Sequence, residues 1–224
     1  DYITGGSLSD PFTVTKYGIG FIGAGPYKVE SDELRPGGLK KKAHPAYTRW
    51  NGMLSRCYNT NYSEYVRYGA LGTTVDALWH NYQNFAEWFC SRGKLNWTVD
   101  KDLLCIGGVK KYSEENCVVV PTYVNNSIVH QKHNTNGLPI GVWWSSNAAA
   151  SKYTAEMEKK SLGCYKTPME AHRAWQIAKA KKLEVTLTKY LKEDFVEEKA
   201  VKGLVMRIEL LYDDHQSGRE TITL

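Results

Sequence analysis

The chain has 224 residues, with 29 Lys and Arg against 24 Asp and Glu, a net charge of +5 and 42% hydrophobic residues. That apolar content is enough to build a core in one or two small domains and excludes a chain too polar to fold, while the mild positive charge permits a polyanionic partner without requiring one. No apolar run reaches the roughly 18 residues of a membrane span and no charged-then-apolar leader opens the sequence, so the expectation is a cytoplasmic protein with no membrane partner.

Five cysteines, Cys57, Cys90, Cys105, Cys117 and Cys164, are odd in number and contain no C-x-x-C pair. They predict free thiols rather than a disulfide framework or a zinc ribbon. Residues 1–42 form a Gly- and Pro-rich segment with short β-prone pieces at Phe12-Thr13-Val14 and Tyr17 to Phe21, predicting a β-ribbon or two hairpins. The segment closes on Arg35 and Lys40-Lys41-Lys42, a basic cluster suited to solvent or to phosphates. Tyr47, Trp50, Met53, Leu54 and Tyr58 then recur at i, i+3 and i+4, which predicts a helix over 45–57 with Arg49 and Arg56 turned away from its buried face. A tyrosine-rich loop, a strand over 73–77 and a helix over 81–92 follow. In that helix Tyr82, Phe85, Trp88 and Phe89 read as core.

The next stretch, Val99-Asp100-Lys101-Asp102, is followed by Tyr112-Ser113-Glu114-Glu115-Asn116-Cys117-Val118-Val119-Val120-Pro121 and then Asn125. It resembles the core of HNH nucleases, a ββα-metal motif. The resemblance, covering a domain over 43–130, implies two strands and a helix around one divalent metal, Mg²⁺ or Mn²⁺, held by the oxygen donors Asp100 and Asn125. It places Glu115-Asn116 at a pair that braces the loop beside the catalytic positions Asp100, Lys101, Asn116 and Asn125. Lys101 stands where the family has its general-base His. Deprotonating an ordinary lysine at neutral pH costs roughly 4.6 kcal/mol, so Lys101 suits holding a phosphate or an oxyanion better than taking a proton. His80 is a second candidate for the base.

Residues 128–137 read as a polar linker, in which His130 and His133 have no third ligand nearby in sequence. Then come three β-type pieces, 140–144, 152–157 and 161–165, and a strongly marked helix start: Thr167 as N-cap, Pro168 at N1 and Glu170 at N3. Gly141-Val142, Lys152-Tyr153-x-Ala155, Leu162-Gly163-x-Tyr165-x-Thr167 and Glu170-Ala171-x-x-Ala174-Trp175 resemble the AP2-type DNA-binding domain over 138–192. That resemblance implies a three-stranded antiparallel sheet entering the major groove, with Ala171, Ala174 and Ala178 letting a helix pack close behind. Trp143, Trp144, Lys152, Tyr153, Lys159, Lys160 and Lys166 are the DNA-binding candidates. The hairpin residues Ala148-Ala149-Ala150 depart from the pattern, since they offer no hydrogen bond to DNA. A helical and β tail over 193–224 carries an apolar run from Leu204 to Tyr212 that would cover a surface or pair a homodimer.

Together these readings predict an α+β chain in which a β-ribbon and helices lead into the ββα-metal motif, then the sheet with its helix, then the tail. The two resemblances imply a phage-encoded, homing-endonuclease-like protein in a bacterial cytoplasm, a hydrolase that binds double-stranded DNA and nicks or cleaves it with a metal. The alternatives are a catalytically silent DNA-binding or regulatory protein on the same scaffold, and a phage factor that binds a host protein through Trp143 and Trp144.

Overall fold

The structure, a computed structural model, describes residues 10–34, 41–107, 110–128, 137–145 and 152–224. It is of mixed α+β type, with small sheets and helices. The chain divides into a first unit, Asp1–Lys101 with Val109–Val119, and a second, Asp102–Gly108 with Val120–Leu224. The stretch over 43–130 therefore contributes to both. Among the described residues no helix is long and apolar enough to cross a membrane.

In the first unit, β1 (Glu30–Leu34) and β2 (Lys41–Ala43) pair antiparallel. This ribbon lies downstream of the strands expected at 12–14 and 17–21. Those residues turn tightly at Tyr17 (φ 51°) and Gly18 (φ 72°), and make only isolated bridges, Lys16 to Gly20 and Phe21 to Asn81. The reason is packing: a side chain on Gly20 would press on Leu54 and Trp50, so the segment lies against helix side chains instead of pairing with another strand.

Helix α1 (Pro45–Tyr58) begins at His44, whose Nδ1 accepts from the Ala46 N–H, with Pro45 opening the first turn. It buries Trp50, Met53 and Leu54 of its expected core face together with Ala46 and Cys57, while Tyr47 and Tyr58 are only half-buried. β3 (Thr74–Val75) is a short strand, and α2 (Tyr82–Cys90) is capped by the Asn81 side chain, which accepts from the Gln83 N–H. Tyr82, Phe85, Trp88 and Phe89 are all buried, with Trp79 and Trp88 at 4.5 Å between centroids. Trp50 Nε1–H donates to the Trp79 carbonyl at 2.7 Å, so the deepest indole leaves no orphan donor. β4 (Thr98–Asp100), β5 (Lys111–Tyr112) and β6 (Val118–Val120) complete the strands of this region. β5 pairs parallel with β3, and β4 pairs with β6.

The second unit opens with α3 (Thr122–Ile128), then β7 (Val142–Trp144), β8 (Tyr153–Met157) and β9 (Lys160–Tyr165), an antiparallel sheet in that order, followed by α4 (Pro168–Tyr190). Thr167 Oγ1 accepts from the Glu170 N–H while the Glu170 carboxylate accepts from the Thr167 N–H, the capping box read from sequence. Val142, Ala155, Leu138 and Ala171 form the core between sheet and helix, with Tyr153, Leu162, Tyr165 and Ala174 around them. Gly141 has φ +76°, and a Cβ there would overlap the Trp175 indole. Glycine is thus required twice over, by the left-handed backbone and by the close approach of α4.

The tail does not carry a strand. It forms one helix, α5 (Glu198–Gln216), because Ala200, Gly203, Leu204, Arg207, Leu211 and Asp214 fall at helical spacing and make its buried face, and the helix packs on α4. Arg207 is fully buried and donates to the carbonyls of Asp102, Leu103 and Gly203, which joins the stretch after Lys101 to this unit. Past α5 the chain returns to α4. The Thr221 N–H donates to His172 Nε2 at 3.0 Å, so Nδ1 carries the proton and donates to the Ile140 carbonyl at 2.9 Å. Gln176 Nε2 donates to Arg219 O and to Thr221 Oγ1, which in turn donates to Asp214.

Candidate nucleic-acid interface

One face of the β7–β8–β9 sheet is covered by α4. Side chains alternate along a strand, so the register Val142–Ala155–Gly163 faces the helix and the register Trp143–Thr154–Cys164 faces the other way. Trp143, on the edge strand β7, is 37% exposed on this open face, next to Thr154 of the central strand, whose Oγ1 lies 3.6 Å from Cys164 Sγ of β9. Trp144 belongs to the opposite alternation, leans on Tyr153 at 4.9 Å, and is 56% exposed at the sheet's end. The two tryptophans, grouped above as one surface, therefore point to different sides.

Lys152 and Lys166 are exposed and flank the paired Tyr153 and Tyr165 at one end of the sheet. The pairing extends there by one bond, from the Ser145 N–H to Lys152 O at 2.8 Å. At the other end Glu158 (φ 53°) and Lys159 (φ 64°) make a two-residue hairpin loop of the primed type, from which Lys159 and Lys160 project, while Glu158 pairs with Lys182 of α4. Ala148-Ala149-Ala150 lie outside the described residues, as do His130, His133, Arg35 and Lys40.

The positions of the HNH-type motif fall in both units. Asp100, the last residue of β4, is buried, and so is Lys101 beside it, each about one-twentieth exposed. Lys101 Nζ faces the rings of Tyr68 and Tyr112 at 5.0 and 5.5 Å, and the Arg56 guanidinium faces the same rings at 5.3 and 5.8 Å. Arg56, expected to turn away from the core, is thus drawn inward. Burial presses its guanidinium toward losing a proton, but the Tyr112 and Tyr68 phenols more than offset this and hold it above its ordinary value. Burial pushes the neighbouring Cys57 thiol up to about 11 despite both cations, so it is no ready nucleophile.

Asn116 braces its own loop: its Nδ2 donates to Lys111 O and its N–H to Ser113 Oγ, both at 3.3 Å. Glu115 is exposed, its carboxyl held below the usual range by its own backbone N–H and the Ser113 hydroxyl. His80 Nε2 lies 3.2 Å from Val75 O. Asn125 belongs to the second unit, half-buried on α3, a helix held to the α4 region by Tyr123, whose hydroxyl donates to Glu193 and whose ring lies 3.9 Å from Lys189 Nζ. Among the described residues no group of three or more His, Cys, Asp or Glu side chains is disposed to hold a metal. Asp100 and Asn125 carry hard oxygen atoms of the kind Mg²⁺ accepts. All five cysteines are free thiols.

Sequence reading missed Arg56, Tyr68 and Tyr112 as one cluster. Nothing in local periodicity joins a helix residue, a residue between two 3₁₀ turns and a strand residue. No family model matches the chain, and neither a curated protein nor a solved structure matches it.

Proposed function

We propose that the protein binds double-stranded DNA through the open face of the β7–β8–β9 sheet, as the AP2-type resemblance implies. The observation that carries this reading is Trp143, exposed on the edge strand β7 on the open side of a sheet backed by α4, with lysines displayed at both ends. Three strands measure about 10 Å across, a width that a major groove of about 12 Å accepts. Lys152, Lys166, Lys159 and Lys160 would meet phosphates, and Trp143 would pack on sugars or thymine methyls. In the finer reading, a phage-type HNH nuclease, Asp100 and Asn125 would be the oxygen donors to a Mg²⁺ or Mn²⁺ ion, which would supply Lewis-acid chemistry at the scissile phosphate. One observation favours the catalytically silent alternative: Lys101, at the position of the general base, is buried against tyrosine rings.

The test is binding of duplex DNA across a salt series, followed by nicking of supercoiled DNA with Mg²⁺ or Mn²⁺. Trp143→Ala is expected to weaken binding about tenfold, and the pair Lys152→Gln and Lys166→Gln to reduce the salt slope by about 2. Metal-dependent nicking that disappears with Asp100→Ala or Asn125→Ala would support the nuclease reading. Binding without nicking would favour the silent one. DNA affinity unchanged in all sheet variants would sink the proposal and turn attention to a host protein as the occupant of the Trp143 face.

A further inference from the structure

We propose that the cleft between the β1–β2 ribbon and the start of α1, in the first unit, binds a proline-rich peptide segment that carries a basic residue. The cleft has a volume of about 660 Å³, within the range of about 300–1,000 Å³ usual for binding sites. Pro26, Tyr27, Glu30, His44, Pro45 and Leu95 are among the residues that line it. Its floor is fixed by α2: the Tyr27 N–H donates to Gln83 Oε1 at 2.9 Å, Gln83 Nε2 donates to Tyr27 O at 3.0 Å, and the Tyr82 hydroxyl donates to Lys28 O at 2.8 Å. The His44 N–H donates to Val29 O at 2.8 Å, which ties the start of α1 to the same segment. The cleft is therefore built before a ligand arrives, and binding has little of the protein left to order.

Three polar groups of the lining are uncommitted. His44 Nδ1 accepts from the Ala46 N–H, so the ring proton sits on Nε2, and burial holds the imidazole below its ordinary value, which favours this neutral form. Among the described residues, that Nε2–H, the Tyr27 hydroxyl and the Glu30 carboxylate have no hydrogen-bond or charged partner. The other charges of the lining are matched: Lys28 pairs with Asp32 at 3.5 Å and Lys42 with Glu33 at 2.8 Å, so the charge left over is that of Glu30. A guest must bring a cation for Glu30, acceptors for two donors, and an apolar body for Pro26, Pro45 and the exposed Leu95. A polyproline-type segment with a basic residue supplies all three, because its carbonyls make no internal hydrogen bonds, its rings pack on prolines and an aromatic, and it loses little entropy on binding. A helix uses its carbonyls internally, and the surplus carboxylate disfavours a polyanion. The inference does not depend on DNA binding by the sheet.

The test is an amide NMR titration of the full chain, with fluorescence anisotropy for affinities, using a series of synthetic peptides of about ten residues that vary the proline spacing and the place of one arginine. Controls replace the arginine by glutamine, or the prolines by alanine. We expect members of the series to bind with Kd of roughly 100 μM and to shift the resonances of Tyr27, Glu30, His44 and Leu95. Glu30→Gln should weaken the arginine peptides about fivefold and leave the glutamine controls unchanged. Tyr27→Phe, which removes only the hydroxyl, and His44→Asn, which keeps a capping oxygen, should each weaken binding about threefold. A series with no member binding below about 1 mM overturns the proposal, as do alanine controls that bind like their proline parents, shifts that map away from the cleft, or three folded variants that bind like the unaltered protein. Should a variant fail to fold, the shift map of the unaltered chain decides. A duplex of about 20 base pairs that moves these four resonances when the peptides do not would also overturn it, and would make the cleft part of a nucleic-acid surface.

Discussion

Each unit withdraws two cations from water and treats them differently. In the first, Arg56 and Lys101 face the rings of Tyr68 and Tyr112, and the guanidinium is held above its ordinary value. In the second, Arg207 takes the carbonyls of the 102–105 stretch, while burial, with the Arg207 charge added, pushes the Lys179 ammonium from 10.5 down to about 8. Ring faces and phenols replace the hydration of a cation; burial beside a second cation does not. Lys152, Lys159, Lys160 and Lys166 of the same unit are instead exposed around the sheet, where the solvent meets them.

The largest expected effect removes the scaffold on one side of this comparison. Gly141→Ala combines a left-handed backbone with overlap of the Trp175 indole, and should destabilise the protein by about 4 kcal/mol, read from the denaturation midpoint. A smaller change, or none, would mean that the sheet and α4 separate readily. Next comes Lys179. Its folded value lies below its unfolded one, so from about 8 to 10.5 the unfolded chain binds more protons and stability rises with pH. The rise amounts to roughly 3 kcal/mol, and Lys179→Met should flatten it; a pH profile unchanged by that substitution would show that the ammonium is well compensated after all.

For the first unit, Tyr68→Leu removes a ring from beneath two cations and should cost about 2 kcal/mol, whereas Tyr68→Phe keeps the ring and should cost much less. Equal losses for the two variants would assign the effect to the phenol instead. The smallest effect is local: Thr167→Ala breaks the capping box and should cost about 1 kcal/mol in thermal or denaturant unfolding, without altering the pH profile assigned to Lys179.

What could be read in advance was whatever depends on near neighbours in the chain. The i, i+3, i+4 aromatics located α1 and α2, alternation and spacing located β7 to β9, and Thr167-Pro168-x-Glu170 marked the start of α4 to the residue. Alternation also held the separation of Trp143 from Trp144, although adjacency suggested one surface. The early β-prone pieces failed because Gly20 packs on a helix, and the apolar tail failed as a strand because its 3.6-residue spacing finds α4 to bury against.

By itself, then, the sequence determined the main helices, the sheet and its capped helix, and the residue types able to hold a hard metal ion or a phosphate, since propensity, capping and periodicity act over a few residues. Tertiary structure alone decided that the 102–105 stretch joins the second unit through Arg207, that Asp100 and Asn125 fall in different units, and that Arg56, Tyr68, Lys101 and Tyr112 meet. Those outcomes turn on desolvation and on which distant groups arrive to offset it, and neither is encoded in the spacing of a single segment.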